Sequence, residues 1–176
     1  MKRLIFYLFL ICCISCTLKE QEKVAVKTYF DVADYFKNEA QRLNKINPIV
    51  DKTVLVNGKE ENKKIKIQNW EREFSSFTAA DINKTSWRGS FDQKLTDSLT
   101  VYTSASGKIP VKKLVVSFIN KKVSSIKIFI VNTNDLYTST DSLYYYPDSV
   151  YLIKKNQKIS LMDEKKYQVI GRFIKN

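Results

Sequence analysis

The sequence predicts an α+β domain with two N-terminal helices packed on a curved, mostly antiparallel sheet. Three observations lead there. Apolar residues recur at three- and four-residue spacing over Phe30 to Leu43, and again at Trp70, Phe74 and Phe77. An Asn57-Gly58 pair divides two strand-like runs. After Trp87 the chain is a series of runs rich in Val, Ile, Phe and Tyr, broken by turn signals. Helices followed by consecutive strands place the helices on one side of a sheet.

The first helix is expected from about Phe30 to Asn44, with Phe30, Ala33, Phe36, Ala40 and Leu43 forming its apolar stripe. Asp31 and Asp34 suit its first turn and Pro48 bars its continuation. Lys52 to Val56 and Lys64 to Ile67 form a hairpin about Asn57-Gly58, with the charged run Lys59 to Lys63 extending the turn or fraying the return strand. Asn69 suits the cap of a short helix beginning at Trp70. Strands are expected at Ser98–Ser104, Val111–Asn120, Val123–Val131 and Ser142–Tyr146, with Asn132–Thr140 as a polar loop. Val150–Met162 forms one long strand or two, and Tyr167–Ile174 closes the chain. Gly171 lies on the face of Tyr167, Val169 and Phe173, where it lets a neighbour approach closely.

All three cysteines, Cys12, Cys13 and Cys16, stand in the first sixteen residues. Lys2-Arg3, an apolar run from Leu4 to Ile14 and the small Ser15 are the three parts of an export signal. The run is well short of the roughly 20 residues that span a bilayer. Cys13-Ile14-Ser15-Cys16 resembles a bacterial lipoprotein signal, departing from it where Cys13 replaces the usual Leu. The resemblance implies removal of residues 1–15, acyl chains such as palmitate on Cys16, a lipidated tether over 16–28 and a single domain over 29–176. Two or more acyl chains hold a protein stably on a membrane. Thr17 stands where an inner-membrane retention signal often has Asp, so the resemblance favours the bacterial outer membrane.

Composition narrows the chemistry. The chain has no histidine, which removes the usual general base, the His-containing triads and the commonest metal ligand. No Asp-x-Asp-x-Asp-Gly loop and no Gly-x-Ser-x-Gly elbow is present. Glu71 and Glu73 are two apart, so a helix points them in different directions. The expectation is a protein that is not an enzyme and has no cofactor and no metal site. Its net charge of +12 raises attraction to anionic lipids and acidic polymers. An exported location argues against nucleic acid, and the lysine doublets are scattered, which suits solvated turns and strand edges.

The run from Asn57-Gly58-Lys59 through Trp70-Glu71-Arg72-Glu73 and Asp81-Ile82-Asn83-Lys84 to Trp87-Arg88-Gly89 resembles uncharacterised envelope lipoproteins of the Bacteroidota. That resemblance covers roughly residues 30–176 and implies no activity. One reading makes Glu73, Asp81, Lys84 and Arg88 a polar site beside Trp70 and Trp87. The other, adopted here, makes the tryptophans core anchors and Asp81 a cap. Tyr144, Tyr146 and Tyr151, with Trp70 and Trp87, are the candidate binding residues, although tyrosine is also ordinary in strands. The expected function is that of a lipid-anchored binding or interaction module for an envelope protein, glycan or lipid. The alternative is a lipid or lipoprotein carrier with an apolar cavity under the sheet, similar in architecture to periplasmic lipoprotein-sorting proteins. A deep apolar cavity would mark the carrier; a filled core with an exposed aromatic patch would mark the interaction module.

Overall fold

The computed structural model describes residues 27–160 and 162–174; the signal segment, Cys16 and most of the expected tether lie outside them. The described chain is mostly antiparallel sheet with few helices. Helix α1 spans Val32–Ile46 and is followed by strands β1 (Ile49–Val56) and β2 (Lys59–Lys66). Two short helices, α2 (Trp70–Glu73) and α3 (Ser75–Ala79), and a 3-10 turn at Thr85–Trp87 come next. Strands β3 (Asp92–Leu95), β4 (Leu99–Thr103), β5 (Val111–Ile119), β6 (Lys122–Thr133), β7 (Tyr137–Tyr146), β8 (Val150–Ile159) and β9 (Lys165–Phe173) complete it. All nine strands join one sheet in the order β2-β1-β9-β8-β7-β6-β5-β4-β3. The last strand therefore returns to pair with the first, so closing the sheet's central region depends on the C-terminal residues.

Local chemistry explains the helix ends. Asp31 is the N-cap of α1 and not part of its first turn: its carboxylate accepts the Asp34 N–H at 3.0 Å. Asn47 ends the helix in the left-handed region (φ 46°), its N–H donating to the Leu43 carbonyl, and Pro48 follows. The side chain of Asn69 accepts the Arg72 N–H at 2.8 Å, as its position before Trp70 predicts. The Trp70 helix is broken at Phe74, whose ψ of 8° starts a second short helix in place of one continuous element.

Two turns follow their sequence signals closely. Asn57 and Gly58 both have positive φ (50° and 84°), joining Val56 to Lys59 by a two-residue turn of the kind that matches strand twist. Asn120 and Lys121 do the same without a glycine (51° and 63°). The charged run Lys59 to Lys63 neither extends the turn nor frays; every residue of it pairs with β1. As an edge strand, exposed along its whole length, β2 tolerates charge on both faces and resists pairing with another chain.

Two expectations are corrected by pairing. The polar stretch over residues 137–140 is strand, because β6 and β8 hydrogen-bond it on both sides and supply what its composition lacks; only Asn134 to Leu136 turns. Asp92 to Leu95, unread as a strand, pairs with Leu99–Thr103 as the short opposite edge.

The core gathers on one face of the sheet. Phe36 of α1 lies 4.5 Å from Phe77 and 5.2 Å from both Phe74 and Tyr145, ring centre to ring centre. Trp70 stacks on Phe173 of β9 at 5.6 Å and meets Tyr151 edge-on at 6.0 Å. Such ring pairs add about 0.5–1.5 kcal/mol each beyond the burial of their area. Gly171 serves the close approach its place predicts, and the neighbour is the Tyr151 ring on the adjoining strand: a Cβ at Gly171 would stand 2.1 Å from Tyr151 Cε1. Gly171→Ala is expected to lower the unfolding free energy by about 3 kcal/mol, read from urea denaturation, since a buried and hydrogen-bonded ring must move. An unchanged midpoint would show that Tyr151 has somewhere else to go.

Candidate functional site

Tyr145 and Tyr151 sit directly opposite one another on β7 and β8, and both are fully buried on the helix-bearing face. Each hydroxyl meets a glutamate from a different helix. Tyr145 donates to Glu39 of α1, and Tyr151 donates to Glu73 Oε1 of α2 at 2.6 Å. Each glutamate is then held by a cation. Arg42 takes Glu39 with both Nε (2.8 Å) and Nη2 (2.6 Å), and the same Nη2 reaches Asp148 in the β7–β8 turn at 2.6 Å. Lys52 of β1 donates to Glu73 Oε2 at 2.7 Å. Two carboxylates at the helix–sheet boundary are thus fully partnered, which offsets the cost of holding them out of water.

Beyond the Tyr145–Tyr151 row the core continues for one more buried row before the sheet face opens. The next row toward the open end is Leu143, Ile153 and Val169, and the one after is Asp141, Lys155 and Tyr167. Over these rows lie two adjoining clefts. The first, about 650 Å³, is walled by Ile65, Arg72 and Glu73 with Tyr167 and Lys155 on its floor. The second, about 490 Å³, is walled by Ala79, Lys84 and Trp87 against Val111, Ile130 and Asp141. Ser75, Ser76 and Lys155 border both, so the clefts adjoin along the edge of α3.

Charge in this trough is unbalanced. Glu73 is occupied by Lys52 and Tyr151; Asp141 accepts the Ser139 hydroxyl at 2.6 Å and lies 3.9 Å from Lys155. Among the described residues Arg72 and Lys84 have no carboxylate partner, and the Lys84 ammonium lies 4.2 Å over the Trp87 ring. Partial burial, with Glu73 adding to it, pushes the Tyr167 hydroxyl above its usual range.

The sequence-selected binding residues do not converge. Trp70 and Tyr151 belong to the core, and the buried indole N–H of Trp70 has no acceptor among the described residues. Tyr144 and Tyr146 are half-buried on the opposite, helix-free face, where Tyr144 meets Phe129 edge-on at 5.9 Å and Lys127 stands 6.0 Å from the Tyr146 ring. Trp87 alone lines the trough. Nor do Glu73, Asp81, Lys84 and Arg88 form one site: Asp81 accepts the Asn83 N–H at 3.3 Å in a local turn, and Arg88 is exposed. Glu71 is exposed while Glu73 turns inward, so they make no acid–base pair. Lys52, Arg72, Lys155 and Tyr167 escaped sequence reading because β1, β8, β9 and α2 meet only in the folded chain. Comparison with protein-family models, curated proteins and solved structures finds no match to this chain.

Burial raises the Tyr145 and Tyr151 hydroxyls far above the usual phenol range, and Glu39 and Glu73 respectively push the same way. A native pKa above the unfolded one means that the unfolded chain loses these protons first as pH rises. Their contribution to stability is therefore intact below about pH 10 and is lost progressively above it. Urea midpoints measured between about pH 8 and pH 11 are expected to fall beyond pH 10. The fall should be shallower in the Tyr145→Phe/Tyr151→Phe double variant; equal slopes would remove these hydroxyls from the linkage.

Proposed function

We propose that the protein is a lipid-anchored protein of the bacterial envelope, on the outer membrane, acting as a non-catalytic binding module. In this reading acyl chains on Cys16 supply the membrane contact, and two helices lying on a curved sheet form the body. The observation that carries it is the filled space between helices and sheet. Phe36, Phe74, Phe77 and Tyr145 are each 0 % exposed and in mutual ring contact, leaving that space to side chains and not to an acyl chain. A lipid or lipoprotein carrier would need an enclosed apolar cavity there. The clefts that do exist are open and bordered by charged as well as apolar side chains, which suits capture of a soluble or surface-displayed partner.

The chain's entry into the body supports the tethered reading. Asn83 Oδ1 accepts the N–H groups of Thr28 and Tyr29 at 3.1 and 3.0 Å, and its amide donates to the Tyr29 and Phe30 carbonyls. Phe30 N–H is taken by the Tyr102 hydroxyl and the Tyr29 hydroxyl accepts from Gly89. Residues 28–30 are thereby clamped beside Lys84 and Trp87, at one end of the trough. The ten residues between Cys16 and Lys27 reach at most roughly 35 Å when extended, which keeps the body close to an anchor on Cys16.

In a bacterial host the wild-type chain should incorporate labelled palmitate and Cys16→Ser should not; label persisting on the variant would sink the lipidation. Native mass spectrometry of the wild-type protein released from detergent should give the acylated chain alone. A stoichiometric further lipid would move the assignment to the carrier.

A further inference from the structure

We propose that the two adjoining clefts form one binding trough for a carboxylate-bearing oligosaccharide. This rests on the binding-module reading and names the ligand class of its site. Cations without carboxylate partners among the described residues stand at both ends, Arg72 in the first cleft and Lys84 in the second. Lys52 and Lys155 face internal carboxylates, so the charge left over to attract a ligand lies at the ends. An elongated ligand with repeated acid groups meets both ends at once, and the Arg72 fork suits a carboxylate in two-pronged contact.

The rest of the lining distinguishes a sugar from an anionic lipid. Each end carries a partly exposed aromatic ring, Tyr167 at 40 % and the half-buried Trp87, able to take the apolar C–H face of a pyranose. Between them stand the hydroxyls of Ser75 and Ser76 and, at the far border, the amide of Asn132. These give a hydroxyl-rich ligand donors and acceptors along its length. The apolar floor has little left to offer an acyl chain, because Ile153 and Val169 are already 6 % and 3 % exposed. Each cleft falls within the volume range of small-ligand sites, about 300–1,000 Å³. Asn83, next to Lys84 in the chain, holds the N–H groups of Thr28 and Tyr29, so the described chain enters the body at the Lys84–Trp87 end.

The test is calorimetric titration of the full-length protein in a neutral detergent with tetragalacturonate, its fully methyl-esterified form and inorganic phosphate. Tetragalacturonate should bind, the methyl ester about tenfold more weakly or worse, and phosphate should not displace the tetramer at equal concentration. Arg72→Gln and Trp87→Ala should each weaken binding by about tenfold. Lys127→Gln on the opposite face should leave it unchanged, and unaltered far-UV circular dichroism and urea midpoints show that each variant is folded. Absence of binding, equal binding of the methyl ester, or indifference to the Arg72 change overturns the ligand assignment. Arg72-dependent binding to vesicles of phosphatidylglycerol and phosphatidylcholine, with none to the sugar, reassigns the trough to lipid headgroups. None of these results bears on Cys16 acylation or on the filled core, so failure of the ligand class is separable from failure of the anchored-module reading.

Discussion

The structure depends on one cross-strand pair. Tyr145 and Tyr151 face each other at the centre of the sheet, and their hydroxyls reach the two glutamates that come down from separate helices. A tyrosine buried among phenylalanines must still satisfy its hydroxyl, and a carboxylate in the same place must satisfy its charge. Each need answers the other, and Arg42 and Lys52 complete the neutralisation from the rim. Because the pairs are directional, they set where α1 and α2 sit along the strands, which ring stacking alone would leave free to slide.

That placement makes the trough. With Glu73 drawn inward to Tyr151 and Lys52, Arg72 and Ser76 stand along the border of the first cleft. Phe77 and Phe74 are drawn into the Phe36 and Tyr145 rings, and the same short helices then expose Ser75 outward. Gly171 belongs to this arrangement as well, since only a residue without a side chain leaves room for the Tyr151 ring that holds Glu73. The site and the core are therefore two sides of the same joint, and the cations of the trough are those the joint does not consume.

Much of the architecture was legible because its signals are local. Asn57-Gly58 turns, Asn69 caps, Asn47-Pro48 stops a helix, and the spacing of Phe36, Ala40 and Leu43 marks a buried stripe. The expectations that failed did so where partners decide. Residues 137–140 look like loop yet are strand between two strands, and the charged run at 59–63 looks like a fraying turn yet pairs throughout. In both cases a neighbouring backbone supplies hydrogen bonds regardless of side-chain polarity.

The functional surface divides in the same way. By itself the sequence determined the absence of histidine, the excess of positive charge, the cysteine placement that resembles a lipoprotein signal and the aromatic content of the strands. It ranked Trp70 and Tyr151 with Tyr144 and Tyr146 because composition cannot tell one face of a strand from the other. Only the tertiary structure sent the first two into the core, left the second pair on the helix-free face, and brought Arg72, Lys155 and Tyr167 together from three separate elements. The reason is physical: helix caps and tight turns are settled within a few residues, whereas a cleft is settled by long-range register, and the β8–β9 pairing that aligns Lys155 with Tyr167 has no counterpart in any local run of the chain.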